Sequence, residues 1–491
     1  MYFVVRSGGT WPRKRRNTTP FGQKVSSIIR CNKHVGTCTT NALKLTLRRN
    51  SSNLKEKKNK SLSREELLNL DKNELIEKII QLQAHNLQLK NIISKNNSDV
   101  DKSESGRQKK NPKPFDFSKC HNRRVLLHIL YFGWNYQGLA VQEDSNQTIE
   151  HNLFYALTKS CLIQNRETSN YHRCGRTDKG VSSFGQVISI SLRSKYPIDQ
   201  QYTFEALTNE LPYCKTLNRL LPKDIKVVGW LPIPLDKPDF SARFDCKKRQ
   251  YKYYFPRCSL DIDAMRSACK YLLGSNDYRN LCKMDVGNGV TEFRRNLLKA
   301  EIRAFLDTTS MYYLLIEGNA FLWHQIRYIM GVLFLIGQGR EKPDVISELL
   351  DVEKNPRKPQ YSMALDLPLN LFHCTFDHED SWIYDKENLR TVLMQLQSDW
   401  TTTSIQSTMI KDVINDLQNK YSLLCASKTE DSDDVKSEED RVIAYSDCLI
   451  EGVKPKVYTP LMERDTCSSL EERIEYYAKR RKIVNLDDTM E

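Results

Sequence analysis

Between Arg124 and Val352 the apolar residues switch repeatedly between two periods. Alternating or continuous β-branched and aromatic runs at Arg124 to Phe132, Gln186 to Leu192, Ile225 to Leu231, Gln250 to Phe255 and Met311 to Glu317 predict strands. Helical spacing predicts helices at Thr148 to Leu162, with Ile149, Leu153 and Leu157 on one face, and at Ile262 to Leu273, Phe321 to Gly337 and Pro343 to Val352. Strands separated by helices and short turns indicate α/β layers of the α+β type. Phe321 to Gly337 is too short for a bilayer and carries His324, Gln325 and Arg327, so it reads as a buried helix and no membrane association is expected.

The flanks follow other patterns. Leu68, Leu75, Leu82 and Leu89 recur every seven residues, and Ile79, Asn86 and Ile93 follow the last three of them by four, which predicts a coiled-coil-like helix over 63–96. Ser63 with Glu66, and Asp71 with Glu74, are alternative capping boxes for its start. A short self-associating or docking helix is favoured over one packed on the chain's own folded domain, and a homodimer is expected. Residues 97–123 form a basic linker ahead of the folded region 124–376. A C-terminal extension, 377–491, holds a helix around Lys386 to Trp400 and the acidic run Glu430 to Asp434.

Charge changes the picture at one end only. The first sixty residues contain fifteen Lys or Arg and one acid, an excess that accounts for the whole net charge of +14. This 1–62 extension has no regular apolar period and is expected to be disordered. It fits a nuclear-import signal, an RNA-attracting tail or a mitochondrial transit peptide, beside the plain reading of a solvated tail. Nucleus and cytoplasm are the expected compartments, with mitochondrial targeting as the alternative. The fourteen cysteines include no C-x-x-C pair and no zinc spacing, so reduced thiols, no disulfides and no metal are expected.

One loop concentrates chemistry. Arg173-Cys174-Gly175-Arg176-Thr177-Asp178-Lys179-Gly180-Val181 sets one carboxylate among three cations just before a strand. Neighbouring cations favour its ionised form, which suits a nucleophile or base; a solvated turn with a surface ion pair is the competing reading. Arg327 on an otherwise apolar helix needs a carboxylate partner, because a buried unpaired guanidinium is costly. Tyr251, in an alternating run with Tyr253, reads on its own as a core aromatic.

The loop resembles the catalytic loop of the TruA family of tRNA pseudouridine synthases, and the resemblance runs from about Pro112 to Cys374. Tyr131-Phe132-Gly133-Trp134-Asn135-Tyr136-Gln137-Gly138, with Gln142 and Thr148-Ile149-Glu150, is similar to the family's first strand and following helix. Phe240-Ser241-Ala242-Arg243-Phe244 with Arg249-Gln250-Tyr251-Lys252-Tyr253 resembles the second motif, and Gly318 to Arg327 the third. The resemblance implies the pseudouridine synthase fold, a mixed, largely antiparallel sheet in two similar halves with a central catalytic cleft.

It also implies a reaction: cleavage of the N1 to C1′ bond of uridine, rotation of the uracil, and C5 to C1′ bond formation, without a cofactor. By this resemblance Asp178 attacks C1′ or deprotonates C2′, Tyr251 stacks on the flipped uracil and is a candidate for removing the C5 proton, and Arg327 pairs with Asp178. A stacked uridine must be extruded, and phosphate contacts offset that cost. Arg173, Arg176, Lys179, Arg243, Lys247, Lys248 and Arg249 are the candidate RNA contacts. Pro114-Phe115-Asp116-Phe117 and Leu272 to Asp285, with Tyr458 to Arg464 and Ser469 to Arg473, resemble the eukaryotic branch that modifies tRNA positions 38 and 39 in the anticodon arm. A pseudouridine synthase for other tRNA or mRNA sites, and a non-catalytic RNA-binding protein, are the alternatives.

Overall fold

The computed structural model describes residues 71, 74, 76, 115–306, 310–377, 382–426, 448–452 and 457–487. The chain divides into two units, Met1–Pro112 and Lys113–Glu491. In the first, Glu74 and Ile76 are helical, and the Asp71 amide donates to Glu74 Oε2 at 3.3 Å, the reciprocal half of the second capping box. The leucine repeat itself, the basic extension and the acidic run Glu430 to Asp434 lie outside the described residues.

The second unit is built on one open sheet. Its strands are β1 (His121–Tyr131), β2 (His172–Arg173), β3 (Ser182–Ser194), β4 (Ile225–Pro232), β5 (Lys248–Pro256), β6 (Gly274–Asp277), β7 (Arg294–Ala304), β8 (Met311–Gly318) and β9 (Leu369–Thr375), in the order β4-β1-β3-β9-β5-β8-β7-β6 with β2 on β3. Pairing is antiparallel except at β3 and β9, where Ser182 faces Asn370 and Ser183 faces Leu371 in parallel register. β1 begins at His121, ahead of the expected boundary at 124, because His121 and Asn122 already pair with Ser194 and Arg193.

The helices cover this sheet in two groups. α1 (Ile149–Lys159), α2 (Phe204–Thr208) and α3 (Tyr213–Asn218) accompany β1, β3 and β4; α4 (Ile262–Cys269), α5 (Gln325–Gly337) and α6 (Val345–Leu350) accompany β5 to β8. Two apolar cores result. One gathers Leu127, Ile129, Leu153, Leu157, Ile188 and Val227; the other gathers Tyr253, Met265, Ile316, Met330, Leu333 and Phe334. β9 joins the two halves, since Leu371 pairs with Ser183 of β3 on one side and with Tyr251 of β5 on the other.

Local chemistry sets the helix limits. Thr148 caps α1 by accepting from the His151 amide at 3.3 Å, and Asp261 caps α4 by accepting from Asp263 and Ala264. α5 begins at Gln325 rather than Phe321, because His324 takes a left-handed conformation (φ 57°) that a helix cannot contain. The four residues before α5 therefore form a turn. α7 (Lys386–Ala426) runs well beyond the expected Trp400, and α8 (Leu470–Asp487) lies in the C-terminal tail. Among the described residues no helix is long and apolar enough to cross a membrane.

Candidate active site

The loop that carries Asp178 is held from below by buried polar contacts. The Tyr131 hydroxyl shares a hydrogen bond with Thr177 Oγ1 at 2.7 Å, and Gln186 Nε2 donates to the Gly175 carbonyl at 2.9 Å. Val181 N donates back to the Asp178 carbonyl at 3.2 Å, closing a tight turn through Gly180. Gly180 has φ +77°, and a Cβ there would sit 2.5 Å from the Asp366 carboxyl carbon. Only glycine satisfies both conditions.

This turn projects Asp178 into a cleft of about 1110 Å³. Its walls include Tyr251 from β5, Trp323 and His324 from the turn before α5, and Arg327 from the first turn of that helix. Segments about 70 and 150 residues beyond Asp178 thus meet it in one place. Asp178 is partly enclosed, and burial raises its carboxyl above the usual carboxylate range. Opposing that are the Arg327 guanidinium, a hydrogen bond from the Trp323 side chain and the Lys283 ammonium; Asp366 adds to the rise. The positive N-terminal end of α5 favours the anion as well.

His324 Nε2 lies 3.6 Å from Asp178 Oδ2. Burial, then Arg327, Lys283 and Lys358, push the imidazole down to about 4, so it is neutral near pH 7 and the approach is not an ion pair. Tyr251 is buried and meets Phe321 edge to face at 5.1 Å between ring centroids. Burial raises its hydroxyl well above the ordinary tyrosine value, so it remains protonated.

Several expectations need correcting. Arg327 does not contact Asp178: it donates through Nη2 to Glu451 and through Nε to the Ala364 carbonyl at 2.9 Å, and reaches Asp178 only through its field. Glu451 is available because the segment around it adds to residues 363–366, with Glu451 N donating to the Met363 carbonyl at 3.0 Å. The three loop cations expected to keep Asp178 ionised are not the ones that act on it; Arg327 and Lys283 are.

Of those three, Arg176 and Lys179 are exposed in the cleft wall, as is Arg243. Arg173 also lines it but is committed to Glu150, whose side chain is fully buried and also accepts from Arg166 at 2.9 Å and Tyr171 at 2.8 Å. Arg249 donates to the carbonyls of Cys174 (3.0 Å), Arg243 (2.9 Å) and Asn319 (2.5 Å), which makes it a tie between the cleft walls rather than a free phosphate ligand. Lys247 and Lys248 do not line the cleft; they pair with Asp377 at 3.4 Å and Glu317 at 3.7 Å.

Reasoning from sequence passed over Trp323, Lys283, Glu150 and Glu451. Lys283 lies over the Trp323 ring at 4.0 Å, a cation–π contact that fixes the indole beside Asp178. Trp323, Glu150 and Lys283 stood within resembling motifs, which was a usable signal. Glu451 carried none.

A partly buried carboxylate, an aromatic platform and a cationic rim in one cleft define a site suited to covalent or acid–base work on an extruded base of a polyanion. The family model for tRNA pseudouridine synthase matches residues 268–377. The chain is 42% identical over 428 residues to the tRNA pseudouridine(38/39) synthase of Homo sapiens, covering 83% of this chain and 88% of that protein. It is 39% identical over 322 residues to the protein of the same name in Saccharomyces cerevisiae, covering 64% and 72%. The tRNA pseudouridine synthase A of Methanosarcina mazei is 30% identical over 269 residues, 54% of this chain and 90% of the relative. The chain belongs to the TruA-type tRNA pseudouridine synthases, which are isomerases.

Proposed function

We propose that this protein isomerises uridine to pseudouridine in the anticodon arm of tRNA, at positions 38 and 39, with Asp178 as its catalytic carboxylate. What carries the reading is the meeting of Asp178, Tyr251 and Arg327 in one cleft, in a chain that aligns along most of its length with relatives named for those positions.

The chemistry follows from the geometry. Asp178 works as an anion at the ribose, as nucleophile at C1′ or base at C2′. The leaving uracil anion is delocalised, so a second carboxylate of the kind glycosidases use for proton delivery is not required. Tyr251 offers its ring to the detached base while it turns. Its protonated hydroxyl is suited to hydrogen bonding with the uracil rather than to acting as a phenolate. Arg327, held by Glu451 and Ala364, sets the field at Asp178. Arg176, Lys179 and Arg243 face the RNA backbone.

A homodimer fits the same reading. Ile410, Val413, Leu417 and Leu424 recur along α7 at coiled-coil spacing and are exposed, a face suited to a second copy of the chain. Leu417→Lys should then lower the sedimentation mass from dimer to monomer.

Two assays test the function. Asp178→Asn should abolish tritium release from C5-labelled uridine in tRNA while tRNA binding persists; turnover retained by that variant removes the aspartate from the mechanism. Pseudouridine mapping in RNA from cells lacking the protein should show losses at 38 and 39. Losses confined to other sites would refute the positional assignment and leave the isomerase intact.

A further inference from the structure

Three cysteines with no part in the proposed reaction converge beneath the cleft. Cys174 stands on the loop ahead of Asp178, Cys246 in the segment before β5 and Cys374 on β9. All three are buried, and their Sγ atoms lie within 4.8 Å of one another, with Cys174 and Cys374 3.2 Å apart. No sequence spacing announces this set, because each sulfur comes from a different segment.

Arg249 stands beside them and supplies an independent observation. It is half-buried in the cleft wall, its hydrogen bonds go to neutral carbonyls, and among the described residues no carboxylate lies within ion-pair distance of it. Its Nη2 donates to the Cys174 carbonyl at 3.0 Å and its Nη1 reaches the Cys246 carbonyl at 3.5 Å, which sets the cation beside two of the three thiol-bearing residues. A guanidinium held beside thiols favours their thiolate form, which is the form that binds a metal.

We propose that Cys174, Cys246 and Cys374 form a site for a thiophilic divalent cation of the zinc type, with Arg249 as its counter-charge. Three thiolates and a divalent ion sum to one negative charge, which the guanidinium matches. Three metal–sulfur bonds form, and the thiol protons pass to solvent. Zinc–sulfur bonds of about 2.3 Å in tetrahedral geometry put the sulfurs roughly 3.8 Å apart, so Cys174 and Cys374 separate by about half an ångström and a pair at the 4.8 Å limit closes by about 1 Å.

The fourth position is set by the surroundings. Cys174 and Cys246 line the cleft and Cys374 does not, so the open side faces the cleft, where water completes the coordination. The ion would lock the loop four residues before Asp178 to the strand that joins the two halves of the sheet.

Zinc K-edge absorption spectroscopy on the unmutated full-length protein, stripped with chelator and reloaded with one equivalent of Zn²⁺, tests the site. Three sulfur scatterers and one lighter one are expected. Fewer than three sulfurs, or failure to retain zinc on gel filtration, overturns the proposal. In a Co²⁺ titration Cys374→Ser and Cys246→Ser should each weaken binding at least tenfold, read from the thiolate-to-cobalt band, while Cys258→Ser/Cys448→Ser at exposed positions should leave it unchanged. A band lost in that control and kept in the other two places the metal elsewhere and refutes the site.

Discussion

Arg327 gives its guanidinium to Glu451, a residue 124 positions later, and its field to Asp178. The arginine is therefore shared between a structural and a catalytic anion. Removing either end of this arrangement should move the other. In Arg327→Gln the cation that offsets the burial of Asp178 is gone, so the Asp178 carboxyl rises further. Since the reaction needs the ionised form, the acid limb of the pH–kcat profile should shift upward, with a fall in kcat on the order of 10²-fold. Glu451→Gln should shift the same limb downward, because Arg327 then acts on Asp178 undivided. Identical acid limbs in both variants would contradict the shared role.

The Asp178→Asn variant separates catalysis from stability. Burial makes the charged carboxylate unfavourable here, and a raised folded pKa means that ionisation costs stability once pH exceeds the usual carboxylate range. The amide keeps the shape and removes that charge. Turnover should fall by at least about 10³-fold while the melting temperature stays level or rises. A marked drop in melting temperature would recast Asp178 as a structural residue.

Glu150 shows how much of this site was readable from the chain and how much was not. The loop and Arg327 could be singled out because each breaks the pattern of its surroundings, charge bracketed by glycine or a cation in an apolar helix, whereas Tyr251 fits its alternating run and stood out only through the resemblance. Strands β1, β3, β4, β5 and β8 were legible because their apolar runs face the cores. β7 was not, since Arg294, Arg295, Lys299, Glu301 and Arg303 interrupt Leu297, Ala300 and Ile302 near the sheet edge, and in β9 Asn370 and His373 break up a short apolar run. Partners are the least legible feature. Arg173 looked like a phosphate ligand because nothing local reveals that Glu150, on a helix earlier in the chain, accepts from it inside the fold.

That pairing predicts an acid-stability effect. Burial would raise the Glu150 carboxyl, but Arg173, with hydrogen bonds from Arg173, Val141 and Tyr171, lowers it overall. A depressed folded pKa contributes stability above the unfolded value, near 4.5, which is lost as pH falls through the folded value. Glu150→Gln should therefore flatten the decline in stability below about pH 4.5 relative to the unmutated protein. At pH 7 it leaves Arg166 and Arg173 without their anion, at a cost of about 3–5 kcal/mol. Denaturant unfolding at pH 7 and pH 4 measures both.

Gly180→Ala probes the turn itself. The left-handed backbone costs an alanine about 1–2 kcal/mol, and the added Cβ also strikes the Asp366 carboxylate, so the loop or that side chain must shift. A displacement on the order of 1 Å at Asp178 is enough to reduce turnover by about 10²-fold. Asp366→Gly in the same chain removes the collision and leaves the φ penalty, so it should restore part of the activity. No recovery in the double variant would assign the whole defect to the backbone.

The cations divide into two groups that tRNA binding can tell apart. Arg176, Lys179 and Arg243 are exposed in the cleft wall, and the structure gives none of them a carboxylate among the described residues, so a phosphate can take that place. Lys247 and Lys248 already sit against Asp377 and Glu317 outside it. Each phosphate contact removed should lower the slope of log Kd against log salt by about 0.7 to 0.9. Arg243→Ala and Arg176→Ala should therefore weaken tRNA binding and flatten the slope by about that amount, while Lys247→Ala changes neither. A full slope loss in Lys247→Ala would mean that the RNA path leaves the cleft and crosses the surface beside Asp377.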